Sequence, residues 1–271
     1  MVGFYLEKRK LMNQSSSYEN FLQIQLRNSR VLTIRIYFSY LYSLISSRLE
    51  KRKNILEIGS GAGISSEFLT DLNITHTDLL AWEDNDVIGG IDAMSLPYPE
   101  DTFDGVFAVD ALHHIPYPAK ALLEMIRVCT SNSEIVLIEP YVSVLSFPVY
   151  RIFHTETTSW RTLKFKFDAP MIGNEPNEGD QCITQSIFLN DLNCQRLKDL
   201  SSKEIAFEYQ YISPLAFFAT GGLTRPIKWL SFIIAPLIST EKRMPQFLLK
   251  HLGSRICVVI NVGTPKLPQN D

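Results

Sequence analysis

The chain has 271 residues, 45% of them hydrophobic and 20% charged, enough apolar material for one large α/β domain or one domain with an elaborated cap. Its net charge of −3 argues against a nucleic-acid binder that relies on a general excess of Lys and Arg. The four cysteines, Cys129, Cys182, Cys194 and Cys257, form no CxxC pair and have no histidine at ligand spacing, so they read as free thiols of a reducing cytoplasm, not a disulfide or zinc framework.

In chain order, charges at Glu7 to Lys10 with no long apolar run after them predict no signal peptide. Tyr18 to Leu49 contains no Gly or Pro and carries Phe21, Leu22, Leu26, Leu32, Ile36 and Tyr40 at helical spacing, so residues 1–53 read as a helical extension. The basic run Arg48 to Lys53 complements the dipole at its end. From Asn54 short apolar strands alternate with helices. Ile55 to Ile58 is a buried strand, Ile64 to Leu72 a helix, Asn73 to Thr77 a second strand and Val87 to Ile91 a short third. Phe103 to Val109 is a fourth, Ala119 to Thr130 a helix, and Glu134 to Glu139 a fifth strand after an Asn/Ser turn at Thr130 to Glu134. This alternation predicts a parallel sheet covered on both faces, an α/β fold.

Beyond Pro140 the rhythm stops. Residues 141–200 are irregular, and strand-like runs return at Glu204 to Ile212 and Arg255 to Val262 around an apolar, helical segment. Two apolar regions, Ile36 to Ser47 and Tyr209 to Ile238, fall short of the ~20 uninterrupted apolar residues a spanning helix needs. Both remain compatible with resting against a bilayer, which keeps peripheral contact with the inner face of the membrane open for a cytoplasmic protein.

Chemistry concentrates at the strand ends. Glu57-Ile58-Gly59-Ser60-Gly61-Ala62-Gly63 follows the first strand; glycines there let the backbone turn tightly and approach a ligand, and a helix start beyond it would offer unpaired N–H groups. A dinucleotide fingerprint would want glycine at position 64, where Ile64 stands. An acid after the second strand can accept from both hydroxyls of a ribose; Asp78 occupies that place, with Glu83 in reserve. Asp92, past the third strand, is positioned to accept from an adenine amino group while Ala93 and Met94 line the ring. Asp104 reads as a local backbone anchor. Val109-Asp110-Ala111-Leu112-His113-His114 lies at the carboxyl end of the fourth strand, where open α/β sheets bind ligands.

Together the segments ILEIGSGAG, THTDLL, DAMSLPYPEDTFDGVFAVDALHHIP and IVLIEP, over residues 54–140, resemble the class I S-adenosylmethionine-dependent methyltransferases, in particular the type 11 branch related to quinone-biosynthesis C-methyltransferases. The resemblance implies a Rossmann-like, seven-stranded, mostly parallel sheet with helices on both faces, its last two strands an antiparallel hairpin. It implies S-adenosyl-L-methionine as cofactor, with Glu57, Gly59, Ser60, Gly61 and Gly63 around the methionine part. Asp78 and Leu79 would take the ribose, Asp92 and Ala93 the adenine, and Asp110 the sulfonium side. Residues 54–140 would be the cofactor-binding core, and 141–271 an acceptor-side cap plus the last two strands. The segment Tyr150 to Glu156 resembles a bacterial subgroup that accompanies polysaccharide-biosynthesis functions. The chain departs from the pattern at Trp82 to Val87, where it is too short for the usual helix.

The implied reaction is methyl transfer to a small-molecule acceptor, a saccharide or lipid-linked precursor among the candidates. A hydroxyl acceptor would need a base, and a histidine suits that task; the candidates are His114, then His113, then His154 with Glu156. Phe147, Tyr150, Phe153, Trp160, Phe217, Phe218 and Trp229 are either acceptor-pocket walls or packing for the cap. The rival readings are an NAD-dependent oxidoreductase and a non-catalytic binding protein that kept the fold. The oligomeric state is not legible.

Overall fold

A computed structural model describes residues 19–20, 22–80, 86–153, 158, 164–172, 179–223 and 225–266. Six strands form one sheet in the order β2-β1-β3-β4-β6-β5: β1 (Ile55–Ile58), β2 (Ile74–Thr77), β3 (Phe103–Val109), β4 (Cys129–Pro140), β5 (Lys203–Ile212) and β6 (Arg255–Pro265). The first four run parallel, while β6 is antiparallel to both β4 and β5. The fold is α/β and Rossmann-like, with the antiparallel terminal pair expected. It has six strands rather than seven. The expected third strand is reduced to a single parallel bridge, Ile88 to Thr77. The described residues between β2 and that bridge hold no helix, and 81–85 lie outside the described set.

All four residues of β1 are buried, as a central strand covered on both faces requires. The pleat divides the core in two. Leu56, Ile58, Val106, Ala108, Ile135 and Leu137 point to one layer, and Ile55, Phe107, Val136 and Ile138 to the other. The first layer is covered by α3 (Pro118–Val128), whose Ala119, Leu122, Met125 and Ile126 recur at helical spacing behind Pro118 at the first turn. The second is covered by α2 (Leu32–Leu49), through Tyr37, Leu41, Ile45 and Leu49.

Three local expectations need correction. The N-terminal helix is not continuous: 22–29 (α1) is helical, Arg30 and Val31 break it, and α2 follows. No Gly or Pro marks that break, where Val31 is extended ahead of α2. The helix expected at Ile64 to Leu72 is a four-residue 3₁₀ turn, Ile64–Glu67, so no long helix dipole points at the glycine turn. Thr130 to Glu134 is not a turn but the irregular start of β4, with Asn132 in the left-handed region beside a register shift. The basic run closing α2 is structural: Arg48 meets Glu208 at 2.9 Å and Arg52 donates to the Asn132 carbonyl. Asp104 accepts from the Lys53 and Asn54 amides, the backbone anchor expected of it.

The irregular region after β4 contains α4 (Ser146–Phe153), α5 (Ile183–Phe188) and α6 (Asp191–Leu200). The segment between β5 and β6 folds as α7 (Ala216–Ala219), α8 (Ser231–Glu241) and α9 (Gln246–Leu252). Among the described residues no helix is long and apolar enough to cross a membrane.

Candidate active site

The connections leaving β1 and β3 run to opposite sides of the sheet, and their carboxyl ends open a crevice where α/β folds take ligands. A cavity of about 590 Å³ occupies it, within the size range of small-molecule sites. Glu57, Gly59, Ser60, Gly61, Asp78, Leu79, Asp92, Ala93 and Asp110 all line it, as do His113 and His114. Gly63 lies outside the lining and serves the turn, with φ +71° and its amide on the Ser60 carbonyl. His154 and Glu83 lie outside the described residues.

The glycine turn is held from beneath. Glu57 is buried, and its Oε2 accepts from Ser60 Oγ (2.7 Å) and Ser65 Oγ (2.6 Å) and meets His76 Nδ1 at 2.5 Å. Gly59 has φ +71°, and a Cβ there would come within 2.5 Å of the Ala111 Cβ, so only glycine lets the first and third parallel crossings close together. Gly61 donates its amide to Asp78 Oδ2 at 2.8 Å, and Leu80 donates to Oδ1 at 3.1 Å. The Asp78 carboxylate is thereby fixed in the cavity wall next to the turn. Asp92 Oδ1 accepts from the Met94 amide at 2.8 Å, which bends the chain so that Ile91, Ala93 and Met94 form an apolar flank.

A second constellation stands across the crevice. Glu139, fully buried at the end of β4, accepts from the Ala111 and Leu112 amides with Oε1 (3.0 and 2.8 Å) and meets His113 Nδ1 with Oε2 at 2.6 Å. His113 is buried; His114 is half-buried, its ring centroid 4.1 Å from that of His113. Gly179 packs on the pair, where a Cβ would lie 2.9 Å from His114 Nδ1. Asp110, with φ +54°, pairs with Arg255, whose guanidinium stacks 4.5 Å over the Phe217 ring. Burial pushes the Arg255 guanidinium below its ordinary value. Arg255, Tyr150 and Gln181 extend the lining beyond the histidines.

Of the aromatic residues weighed as acceptor walls, Tyr150 lines the cavity. Phe217 is buried beneath Arg255, Phe147 and Phe218 pack partly buried against the second core layer, and Trp229 is exposed. Trp160 and the Phe153 side chain lie outside the described residues. The sequence reading missed Glu139, which holds the His113 segment, and Arg255, Gln181 and the α1 residues Gln25, Asn28 and Ser29, which line the cavity. An acid closing an apolar strand, as in IVLIEP, was a usable signal for Glu139. Nothing local marks Arg255 or α1.

The residues present fit an S-adenosyl nucleoside: a glycine turn that lines the cavity through Gly59 and Gly61, a fixed carboxylate one strand over, and an apolar flank bearing Asp92. Residues 56–137 match the family described as a methyltransferase domain. A phosphatidylethanolamine N-methyltransferase from Cereibacter sphaeroides is 28% identical over 102 residues, 32% of this chain and 50% of that protein. A demethylmenaquinone methyltransferase from Renibacterium salmoninarum is 30% identical over 122 residues, 40% of this chain and 48% of its relative. The chain thus spans about half the length of these curated relatives. Among solved structures, a SAM-dependent methyltransferase from Archaeoglobus fulgidus superposes with a TM-score of 0.46 at 14% identity, covering 82% of this chain and 94% of that one.

Proposed function

Starting from residues 56–137 as a methyltransferase domain, we propose that the chain binds S-adenosyl-L-methionine in this crevice and transfers its methyl group to a small-molecule acceptor. The observation that carries the reading is the Asp78 carboxylate, held by Gly61 and Leu80 at the lip of the glycine turn in a cavity large enough for a nucleoside and a second ligand. The cofactor, when bound, supplies a methyl group already activated by a sulfonium. The protein's work is then mainly alignment, which contributes roughly 7–11 kcal/mol in favourable cases.

Gly59, Ser60 and Gly61 would hold the amino-acid part, Asp78 and Leu79 the ribose, and Asp92 and Ala93 the adenine. Asp110, neutralised by Arg255, would border the sulfonium. The acceptor end is formed by His113, His114, Tyr150, Gln181 and Arg255. Geometry favours His113 over His114 as base, reversing the order drawn from sequence. Glu139 Oε2, 2.6 Å from Nδ1, orients the His113 ring in the cavity wall; His114 stacks against that ring. The mixed polar and apolar lining suits a lipid-linked or saccharide precursor.

The test is tritium transfer from methyl-labelled S-adenosylmethionine into an organic extract of membranes and into the aqueous saccharide fraction. His113→Ala is expected to lower turnover by on the order of 10²–10⁴-fold with S-adenosylhomocysteine affinity unchanged. Full turnover in that variant would remove His113 as the base, and no labelled product in either fraction would remove the proposed acceptor classes.

A further inference from the structure

The molecule carries net negative charge, yet the chain between β5 and β6 is its opposite. From Ser213 to Ser254 it holds Arg225, Lys228, Lys242, Arg243 and Lys250 against one acid, Glu241. All five cations are exposed. Glu241 is buried, accepting from the Leu215 and Ala216 amides. The outer surface of this segment is therefore cationic with no carboxylate of its own.

The same surface is apolar where water should face it. The 3₁₀ turn Lys228–Leu230 runs directly into α8, giving one helical stretch over 228–241. At 100° per residue, Ile234, Ile238 and Glu241 fall on one side and are buried. Trp229, Phe232 and Pro236 fall on the opposite side. Trp229 is 73% exposed and Phe232 72%. After the turn that follows α8, α9 presents Phe247 and Leu248 to solvent beside Lys250, while Leu249 anchors it. Large aromatic residues opposite a buried anchor, flanked by Lys and Arg, are what an interfacial helix presents to lipid headgroups.

The patch adjoins the cavity. Gly222 and Leu223 line it, Asn28 of α1 donates to the Leu223 carbonyl, and the Arg225 amide closes the same turn onto Gly221. Arg225 and Trp229 are thus two and six residues beyond a wall of the crevice.

We propose that this face, Arg225 to Arg243 with α9, docks on an anionic bilayer, with Trp229 and Phe232 entering the headgroup region and the five cations opposing the lipid charge. Docking stands independently of methyl transfer; that a lipid-borne acceptor reaches the crevice from the bilayer rests on the function proposed above. A cationic surface alone would also suit nucleic acid, but two exposed aromatics set opposite a buried anchor favour lipid.

The experiment is flotation of the full chain with vesicles of phosphatidylcholine alone and with phosphatidylglycerol added. The parent is expected to float with the anionic vesicles, and less so as salt is raised. W229S/F232S is expected to weaken partition by on the order of tenfold or more, and K228Q by on the order of fivefold. S-adenosylhomocysteine binding in solution should stay at the parental value in each variant, which establishes that they are folded. The proposal is overturned if the parent stays with the dense fraction, if the variants float like the parent, if the patch instead drives dimerisation without vesicle binding, or if duplex RNA is bound while vesicles are not. Vesicle binding without S-adenosylhomocysteine binding would retain the docking surface and remove the methyl-transfer reading.

Discussion

Glu139 bears more of the site's geometry than any residue named from the motifs. Its two oxygens gather the Ala111 and Leu112 amides and the His113 ring in a fully buried position. Removing that carboxylate leaves two backbone donors and an imidazole without their acceptor. Glu139→Ala is therefore expected to cost about 3–5 kcal/mol of stability, read by denaturant unfolding, with Glu139→Gln costing less because it keeps one acceptor. An unchanged midpoint for the alanine variant would contradict the packing described. The contrast with Asp78 shows what local sequence carries. Asp78 was legible because it ends a strand after a glycine turn, so spacing alone fixes its place. Arg255 was not, because its role comes from Asp110, 145 residues away. No periodicity records such a distance.

At the scale of elements, strands were read best where both faces are buried. β3 has the bounds expected of it, Phe103–Val109, with Val106, Phe107 and Ala108 fully buried, because a parallel strand covered on both faces reads as a near-continuous apolar run. The expected third strand failed because Ile88 alone keeps a ladder partner. The break at Arg30 and Val31 was invisible because no Gly or Pro marks it, while α1 on its near side makes tertiary contacts that sequence does not record. Leu22 lies 3.6 Å from the position of a Cβ on Gly61, and Asn28 is tied to Leu223. α8 carries a prediction of its own. Burial raises the Glu241 carboxyl above its ordinary value of 4.5, against the lowering effect of the Ala216 and Leu215 amides. Between the ordinary and the raised value the native state holds a proton that the unfolded chain has released. Native stability attributable to this group therefore falls as pH rises through that interval and levels off above it. Relative to the parent, Glu241→Gln should gain thermal stability as pH climbs from about 4.5 towards neutrality. A difference that stays flat with pH would show that the carboxyl is not penalised by burial.

For the molecule as a whole, the parallel half of the sheet builds the glycine-turn side of the crevice, where the proposed nucleoside would sit. The antiparallel pair and the helices between its strands build the other side and the cationic, aromatic exterior. The first half follows a common pattern and was legible. The second, with Gln181, Tyr150 and Arg255 in the cavity lining, was not, since a ligand-specific wall is grafted onto a fold and not dictated by it. The central claim is that the carboxylate beside the glycine turn grips an S-adenosyl nucleoside. Calorimetric titration of S-adenosylhomocysteine and, separately, of NADH into the parent and Asp78→Ala tests it most directly. The account predicts one saturable site for S-adenosylhomocysteine, roughly 10- to 100-fold weaker in the variant because hydrogen bonds to a charged group are lost, and no heat with NADH. Absence of binding to the parent, or equal affinity in Asp78→Ala, would contradict it.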